Sequence, residues 1–521
     1  MKANFVSSDI IKALLKASLS VEAQKAVKAN FNMPKLESGD FFIGYALSAC
    51  DERIAKVCLS KSDLKLLCVC GDYEARSFFV YNLLKVIHEA NEKFIVLDTY
   101  GAYVGLIREI PELKVFKLGE DFSLNIFQPI GVKEDYALIL VEVLKSVLNL
   151  DDVQARYLLK ALKRVYEEGI EKPTAEDLLD SLLAVEAEVS AREVFKLESL
   201  KMVLESLQVG FAGLAFNAES TISLNDIIKP PVILDLKRVY SVRLRTLAQA
   251  VLTVKLAFGN PLGSLLVLED AQYLLPSIQR AMRQDLVLVY ERIPVILHLF
   301  DAFSSKNLGV VLSCSSPSEI SREALSRSKT KVFCRGLSEN DVSLIARMFS
   351  LSSEQLKTYI SLGTHRYLIS KPIEHMPMLI ELEGRPPTEV SDGEIVAHME
   401  KLGFSREKLK VVTYRRSLLE RLFKDLKDVA KAYKLLDFIK SNRIPHGSYR
   451  AIPFLTEQEF RQLIKVFLRH KLITDYYDRD GVRWYAITSF GEDVLTEFED
   501  NVRKSSSLSK EVEGGEKSGE G

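Results

Sequence analysis

The chain of 521 residues has one tryptophan, six cysteines and seven histidines, and these scarce residues are not spaced as metal ligands are. The cysteines (50, 58, 68, 70, 314, 334) include no C-x-x-C pair, and the histidines (88, 298, 365, 375, 398, 446, 470) are scattered, which argues against a zinc site. Reduced, buried thiols of a cytoplasmic protein are expected instead, with Cys68 and Cys70 on one face of a strand as core packing. An excess of either charge is also lacking. Lys+Arg number 70 against 71 Asp+Glu, a formal charge of −1, so no global field favours nucleic acid and any DNA contact must come from a local patch. No apolar run approaches the ~18–20 residues of a membrane helix, so no membrane partner is expected. The N-terminal "MKANFVSSDIIKALLKASLS" reads as a Ser/Asp-capped amphipathic helix rather than a signal peptide.

With 47% hydrophobic and 27% charged residues the composition is that of a globular protein, and the length predicts two to four units. Residues 1–60 read as one helix, the Pro-containing link "NMPKLESGD" and two strand-like pieces, "FFIGYAL" and "IAKVCLS". From 65 onward apolar strands alternate with helices. "KLLCVC", "KFIVLDTYG", "PPVILDLK", "SLLVLEDA", "GVVLSCSS" and "TKVFCRG" lack polar alternation, the mark of parallel strands buried on both faces in a doubly wound α/β domain. About 100 residues of helical periodicity separate the second from the third, too many for a simple crossover. The sequence therefore predicts an α/β domain at 61–385 with a helical insertion near 132–210. A helical linker at 386–425, entered through "GRPPTEVSDG", follows. Residues 426–500 read as helix, helix, a hairpin turning at Asp480-Gly481, then a helix, and the Ser/Gly/Glu/Lys-rich 501–521 as a disordered tail.

Ligands of open α/β sheets bind beyond the C-terminal strand ends. The first strand leads into Gly71-Asp72-Tyr73-Glu74-Ala75-Arg76-Ser77, where a phosphate loop would read G-x-x-x-x-G-K-[S/T]. Only Gly71 and Ser77 fit, and only if the loop is one residue short. Ala75 then stands for the second glycine and Arg76 for the lysine. Asp72 and Glu74 would each oppose a triphosphate by on the order of 1–2 kcal/mol. By local chemistry the segment reads as an ordinary turn. The second strand ends at Asp98. The fourth ends in Glu269-Asp270, adjacent acids suited to a metal-water ligand and a base for an attacking water, or equally to a solvated turn. The fifth offers only Ser313, Ser315 and Ser316 as γ-phosphate sensors, and the sixth ends in Arg335.

In this order the pieces "FFIGYAL", "SDLKLLCVCG", "VLDTYGAY", "SLNIFQPI", the insertion, "VILDLKRV", "LEDAQYLLP", "LSCSSPSEI" and "VFCRGLSENDVSLI" resemble the HerA/FtsK branch of P-loop ATPases, specifically its archaeal HerA-like, hexameric DNA-translocating group. The resemblance spans about residues 40–385 and implies a RecA/FtsK-like P-loop NTPase fold. It implies Glu269 as the Mg²⁺-side acid, Asp270 as the catalytic acid and Arg335 as a charge serving a neighbouring subunit. Gly71, Arg76, Ser77 and Asp98 fall at nucleotide positions, with Ser77 and Glu269 on the metal. The Walker A lysine, the histidine after the acids (here Gln272), the sensor glutamine (Ser315) and the Glu of the second motif (Ala102) are missing. ATP and Mg²⁺ are thus the implied cofactors of a site read here as degenerate, within a homo-oligomer or a mixed ring with an active homologue; an active ATPase using Arg76 and Ser77 is the alternative. Residues 426–500 resemble a winged helix whose Arg461, Lys465, Arg469, Lys471, Arg479 and Arg483 could meet DNA phosphates. Interleaved acids leave a protein-binding role open, including that of a plain winged-helix scaffold.

Overall fold

The computed structural model describes Phe31 and residues 39–499, apart from 49–50, 171, 187–191, 220–221, 260–264, 279, 281–288, 373–376, 406–408, 412–418, 420–421, 424–425, 443, 446–451 and 497. The expected N-terminal helix, most of the link after it, Cys50 and the C-terminal tail lie outside the described residues.

The six strands read from the sequence form the centre of an 11-stranded sheet. In chain order its strands are β1 (Phe41–Leu47), β2 (Arg53–Leu59), β3 (Leu67–Cys70), β4 (Phe94–Asp98), β5 (Lys114–Lys117), β6 (Val232–Asp235), β7 (Leu265–Leu268), β8 (Gly309–Cys314), β9 (Thr330–Phe333), β10 (Arg366–Ser370) and β11 (Met378–Glu381). They lie in the order β2-β1-β11-β10-β9-β3-β8-β7-β4-β6-β5. From β9 to β5 every pairing is parallel; β10, β11, β1 and β2 add antiparallel neighbours on one side. Every residue of β3, β4, β6, β7 and β8 is buried, which is why their sequences are mostly apolar and lack polar alternation.

Three strands of this sheet escaped the sequence reading. In β5 (KVFK) two lysines mask the strand signal, because their ends find partners: Lys114 Nζ donates to the Asp226 carbonyl at 3.0 Å and Lys117 pairs with Asp392 at 2.5 Å. β10 and β11 join β1 and β2 to the main sheet, so "FFIGYAL" and "IAKVCLS" continue the α/β sheet itself.

The chain divides into two compact units. The first holds the described residues up to Leu124, Pro129–Asp151 and those from Ser220 to Leu409, and contains the whole sheet. Part of the stretch read as a helical insertion and part of the one read as a linker lie in it. Helix Lys133–Val147 sets Tyr136 against Phe258 (ring centroids 5.7 Å apart), and helix Asp392–Lys401 is held to β5 by Lys117 and by the Val115 N–H on Met399 Sδ at 3.2 Å.

The second unit joins Asn125–Gln128 and Asp152–Glu219 to the described residues from Lys410 onward. Helices Asp152–Glu167, Ala175–Glu186 and Val194–Ser206 thus share a unit with the C-terminal part. There, helices Leu426–Ser441 and Glu457–Arg469 pack over strands β12 (Ile444–Pro445), β13 (Ile473–Tyr477) and β14 (Arg483–Ile487), ordered β12-β14-β13. Leu435, Leu436, Phe460, Phe467 and Tyr485 form their common core. A capping box fixes the second helix start, with the Thr456 hydroxyl and the Glu459 carboxylate each accepting the other's backbone N–H.

Candidate nucleotide site

Between the end of β3 at Cys70 and the helix Tyr73–Glu89 (α1) stand only Gly71 and Asp72. Gly71 holds φ 150°, and a Cβ there would lie 2.4 Å from Cys334 Cβ, so the chain tolerates only glycine as it passes β9. Three of the N–H groups around the place of a phosphate are spent inside the protein. Gly71 N–H donates to the Cys314 carbonyl (3.2 Å), Asp72 N–H to the Arg335 carbonyl (3.0 Å), and Ala75 N–H to the Asp72 carboxylate (2.7 Å), which caps α1. A side-chain carboxylate therefore sits at the positive end of α1, where a nucleotide phosphate would bind.

Arg335 closes the outer side. Its Nε donates to Asp72 at 2.8 Å and a terminal nitrogen to Glu74 at 2.9 Å, so one guanidinium bridges both loop acids within the same chain. Glu74 is 74% exposed and Arg335 33%. Arg335→Ala is accordingly expected to cost no more than about 1 kcal/mol in chemical denaturation, the range of solvent-screened pairs.

Arg76, from the first turn of α1, points inward onto the acids after β7. Its Nε donates to Glu269 Oε1 at 3.0 Å and a terminal nitrogen to Asp270 Oδ1 at 3.4 Å. All three side chains are at most 4% exposed. Every remaining carboxylate oxygen is supplied from the protein. Ser313 donates to Oε1 of Glu269 (3.0 Å) and Tyr103 to its Oε2 (2.5 Å). Gln272 donates to Oδ1 of Asp270 (3.0 Å) and Thr99 to its Oδ2 (3.2 Å). Asp270 holds left-handed backbone angles (φ 56°, ψ 37°), which turn its carboxylate back toward Arg76 and Thr99. Burial alone would weaken the Arg76 proton affinity, yet Glu269 and Asp270 hold its pKa above the ordinary arginine value. Burial, then Glu269, pushes the Tyr103 phenol well up, so it remains a donor. The aromatic rings of Tyr73 and Tyr100, 5.0 Å apart edge to face, lie 5.8 and 6.0 Å from the guanidinium carbon.

Asp98, at the end of β4, shapes the turn that delivers Tyr103. It accepts backbone N–H bonds from Tyr100 (3.0 Å), Gly101 (2.8 Å) and Tyr103 (3.0 Å). Burial first, then the neighbouring Asp235, raises its pKa to about 7 against those N–H groups.

Arg76, Glu269 and Asp270 therefore meet in one cluster, Gly71 and Arg335 bound the loop beside it, and Ser77 is buried without a hydrogen bond of good geometry. Ser313, one of three serines offered as sensors, faces Glu269, whereas Ser315 binds Glu319 (3.1 Å) and Ser316 binds Asp341 (2.6 Å). Tyr103 and Thr99 were not singled out from sequence. Their only signal was the polar and aromatic run "DTYGAY" after an apolar strand. Of the six basic residues suggested for DNA, Arg461 is paired with Glu457 and Arg483 with Asp475. Lys465, Arg469, Lys471 and Arg479 are exposed and belong to no ion pair among the described residues.

A parallel sheet with a strand–turn–helix at its centre and paired acids at the end of a nearby strand defines the RecA/FtsK-like P-loop NTPase fold, and the chain has it. Solved structures agree. VirB4 of Thermoanaerobacter pseudethanolicus superposes with a TM-score of 0.53 at 13% identity, covering 69% of this chain and 99% of that one. The bacterial conjugative coupling protein TrwB, lacking its N-terminal segment and in complex with sulphate, gives 0.50 at 14% identity, covering 73% and 99%. No family model matches the sequence, and no curated protein matches it.

Proposed function

We propose that this protein is a HerA/FtsK-type member of the P-loop ATPases whose own nucleotide site is closed from within, and that it serves as a non-hydrolysing or weakly active component of a DNA-processing assembly. One observation carries the reading: the guanidinium of Arg76 is bound to both Glu269 and Asp270 in a buried cluster whose every carboxylate oxygen already has a protein donor. Mg²⁺ would have to strip Glu269 of its donors, and a phosphate would have to displace the Asp72 carboxylate from the start of α1. Ser77 keeps the family's hydroxyl position, but the acids it would work with are taken. Calorimetric titration of the full chain with Mg·ATP is expected to show no binding in the micromolar range. Micromolar affinity, or steady hydrolysis abolished by Glu269→Gln, would establish the active alternative instead.

The engagement of Arg335 with its own loop acids favours a ring in which this chain contributes structure rather than a charge to a neighbour's site. A DNA-docking role is supported by the helix–strand–helix–hairpin order of residues 426–487, that of a winged helix, and by four exposed cations, in no ion pair among the described residues, on the later part of its second helix, just after it and at the hairpin tip. Replacing Lys465, Arg469, Lys471 and Arg479 together with alanine in the full chain is expected to remove a low-salt gel shift with duplex DNA. A wild-type chain that gives no shift would leave this unit as a protein-binding module.

A further inference from the structure

Three cysteines that the nucleotide site does not use lie directly beneath its loop. Cys68 and Cys70 of β3 and Cys314 of β8 are fully buried, with Sγ separations of 3.5 Å (68–70), 3.9 Å (68–314) and 2.8 Å (70–314). Cys70 and Cys314 are register partners on adjacent parallel strands, and the spacing of such strands, about 4.8 Å, lies within the Cα separation of about 4.4–6.8 Å that a disulfide accepts.

Two chemistries fit three clustered sulfurs: a soft metal ion or a cross-link. Among the described residues no histidine or carboxylate joins the group, so a metal held by them would need thiolates alone. Glu269 and Asp270 already place two negative charges against the single positive charge of Arg76 nearby. Three thiolates around a monovalent ion would add a net two more where no atom reaches solvent. Burial pushes the Cys70 and Cys314 thiols well up, against ionisation. A disulfide is neutral and escapes this cost.

We propose that Cys70 and Cys314 form a modification site at which a peroxide oxidant produces a disulfide joining β3 to β8. Local opening that admits the peroxide and water lets one sulfur lose its proton; this thiolate attacks hydrogen peroxide, the O–O bond breaks, a sulfenic acid forms, and the departing hydroxide takes up the proton and leaves as water. The second sulfur then displaces the sulfenic oxygen: the S–O bond breaks, the S–S bond forms, and a second water departs with the thiol proton. The two sulfurs together give up two electrons, which reduce the peroxide to water. Peroxide is small enough to enter through local opening of the sheet end. Cys68 stands in reach as a third thiol able to exchange with the bridge. Because the Gly71 N–H is bound to the Cys314 carbonyl, the cross-link fastens the loop to β8 whether or not a nucleotide binds there.

The full chain would be treated with hydrogen peroxide, denatured in N-ethylmaleimide, digested and mapped by mass spectrometry. The expected product joins the Cys70 and Cys314 peptides with the loss of two hydrogens and is released by dithiothreitol. The bridge ties positions 244 residues apart, so the oxidised chain should migrate faster without reductant and unfold at higher urea, both reversibly. Cys314→Ala should abolish the joined peptide, while Cys68→Ala should keep it and shows that loss of one thiol does not prevent folding. Alkylation of all three thiols after peroxide, a Cys68–Cys70 link, or sulfinic and sulfonic products alone would overturn the proposal. So would stoichiometric Cu(I) retained by the reduced chain through dialysis that shields all three thiols from N-ethylmaleimide.

Discussion

Arg76→Ala is expected to destabilise the first unit by about 3–5 kcal/mol, the cost of removing one partner of a buried ion cluster and leaving two carboxylates facing each other. Two features place the effect at that end of the scale. Arg76 is 3% exposed and Glu269 0%, so water cannot take the place of the guanidinium. Among the described residues, Glu269 and Asp270 have no second cation in hydrogen-bonding reach; Tyr103, Ser313, Thr99 and Gln272 are neutral donors. Arg76→Lys should fall between wild type and alanine, because an ammonium keeps the charge but cannot span both acids as the planar fork does. Urea denaturation followed by circular dichroism measures both. A double-mutant cycle with Asp270→Asn should recover part of the loss, since one charge then leaves the unpaired pair. A loss below about 1 kcal/mol for Arg76→Ala would mean that the cluster is solvated in solution, and the closed-site reading would fall with it.

The second large effect is an opposite pH response of the two units. Asp98 in the first unit has its folded pKa raised to about 7, above the ordinary aspartate value. The folded state therefore holds the proton more tightly. The corresponding stability is complete below pH ~4 and is lost as pH rises through ~7, by up to about 1.4 kcal/mol per pH unit, or about 4 kcal/mol in all. His470 in the second unit behaves in reverse. Burial first, then Arg164 and Arg469, lower its pKa to about 4, and Arg164 lies 3.2 Å from its ring. Its contribution is present above pH ~6.5 and lost as pH falls toward 4. Trp484, the only tryptophan, sits on β14 and reports the second unit alone. Between pH 4.5 and 7 the Trp484 transition should move to higher urea as pH rises, while the circular-dichroism transition that leaves Trp484 unchanged should move to lower urea. Asp98→Asn should flatten the second trend and His470→Phe the first. Parallel trends in both signals would contradict the assignment.

Much of the architecture was legible in the sequence because burial on both faces forces mostly apolar runs that lack polar alternation. All six strands read that way became β3, β4, β6, β7, β8 and β9 of the parallel sheet. The runs that failed to show were those whose polarity is resolved far away in sequence. Lys114 and Lys117 of β5 find their partners at Asp226 and Asp392, and β10 and β11 are ordinary antiparallel strands, of which β11 reaches β1 only through a chain return of more than 300 residues. The unit boundary was hidden for a similar reason. Helix Lys133–Val147 and helix Asp152–Glu167 share one periodicity, yet the first packs on the sheet unit and the second belongs with the C-terminal part.

The same division holds at the site. The order of residues alone tells that Gly71-Asp72-Tyr73-Glu74-Ala75-Arg76-Ser77 lacks the lysine and second glycine of a phosphate loop, and that Glu269 and Asp270 close an apolar strand. Residue identity and neighbours in the chain suffice for that. Where the odd charges go became visible in the folded chain. The fold put Arg76 on the paired acids, the Asp72 carboxylate on the start of α1, Arg335 on both loop acids, and Cys314 beside Cys70. Each of these pairs brings together strands or helices distant in sequence, or depends on which way a side chain turns at a helix start. Electrostatic and sulfur contacts act over a few ångströms of space, which the order of residues does not specify until the sheet has formed.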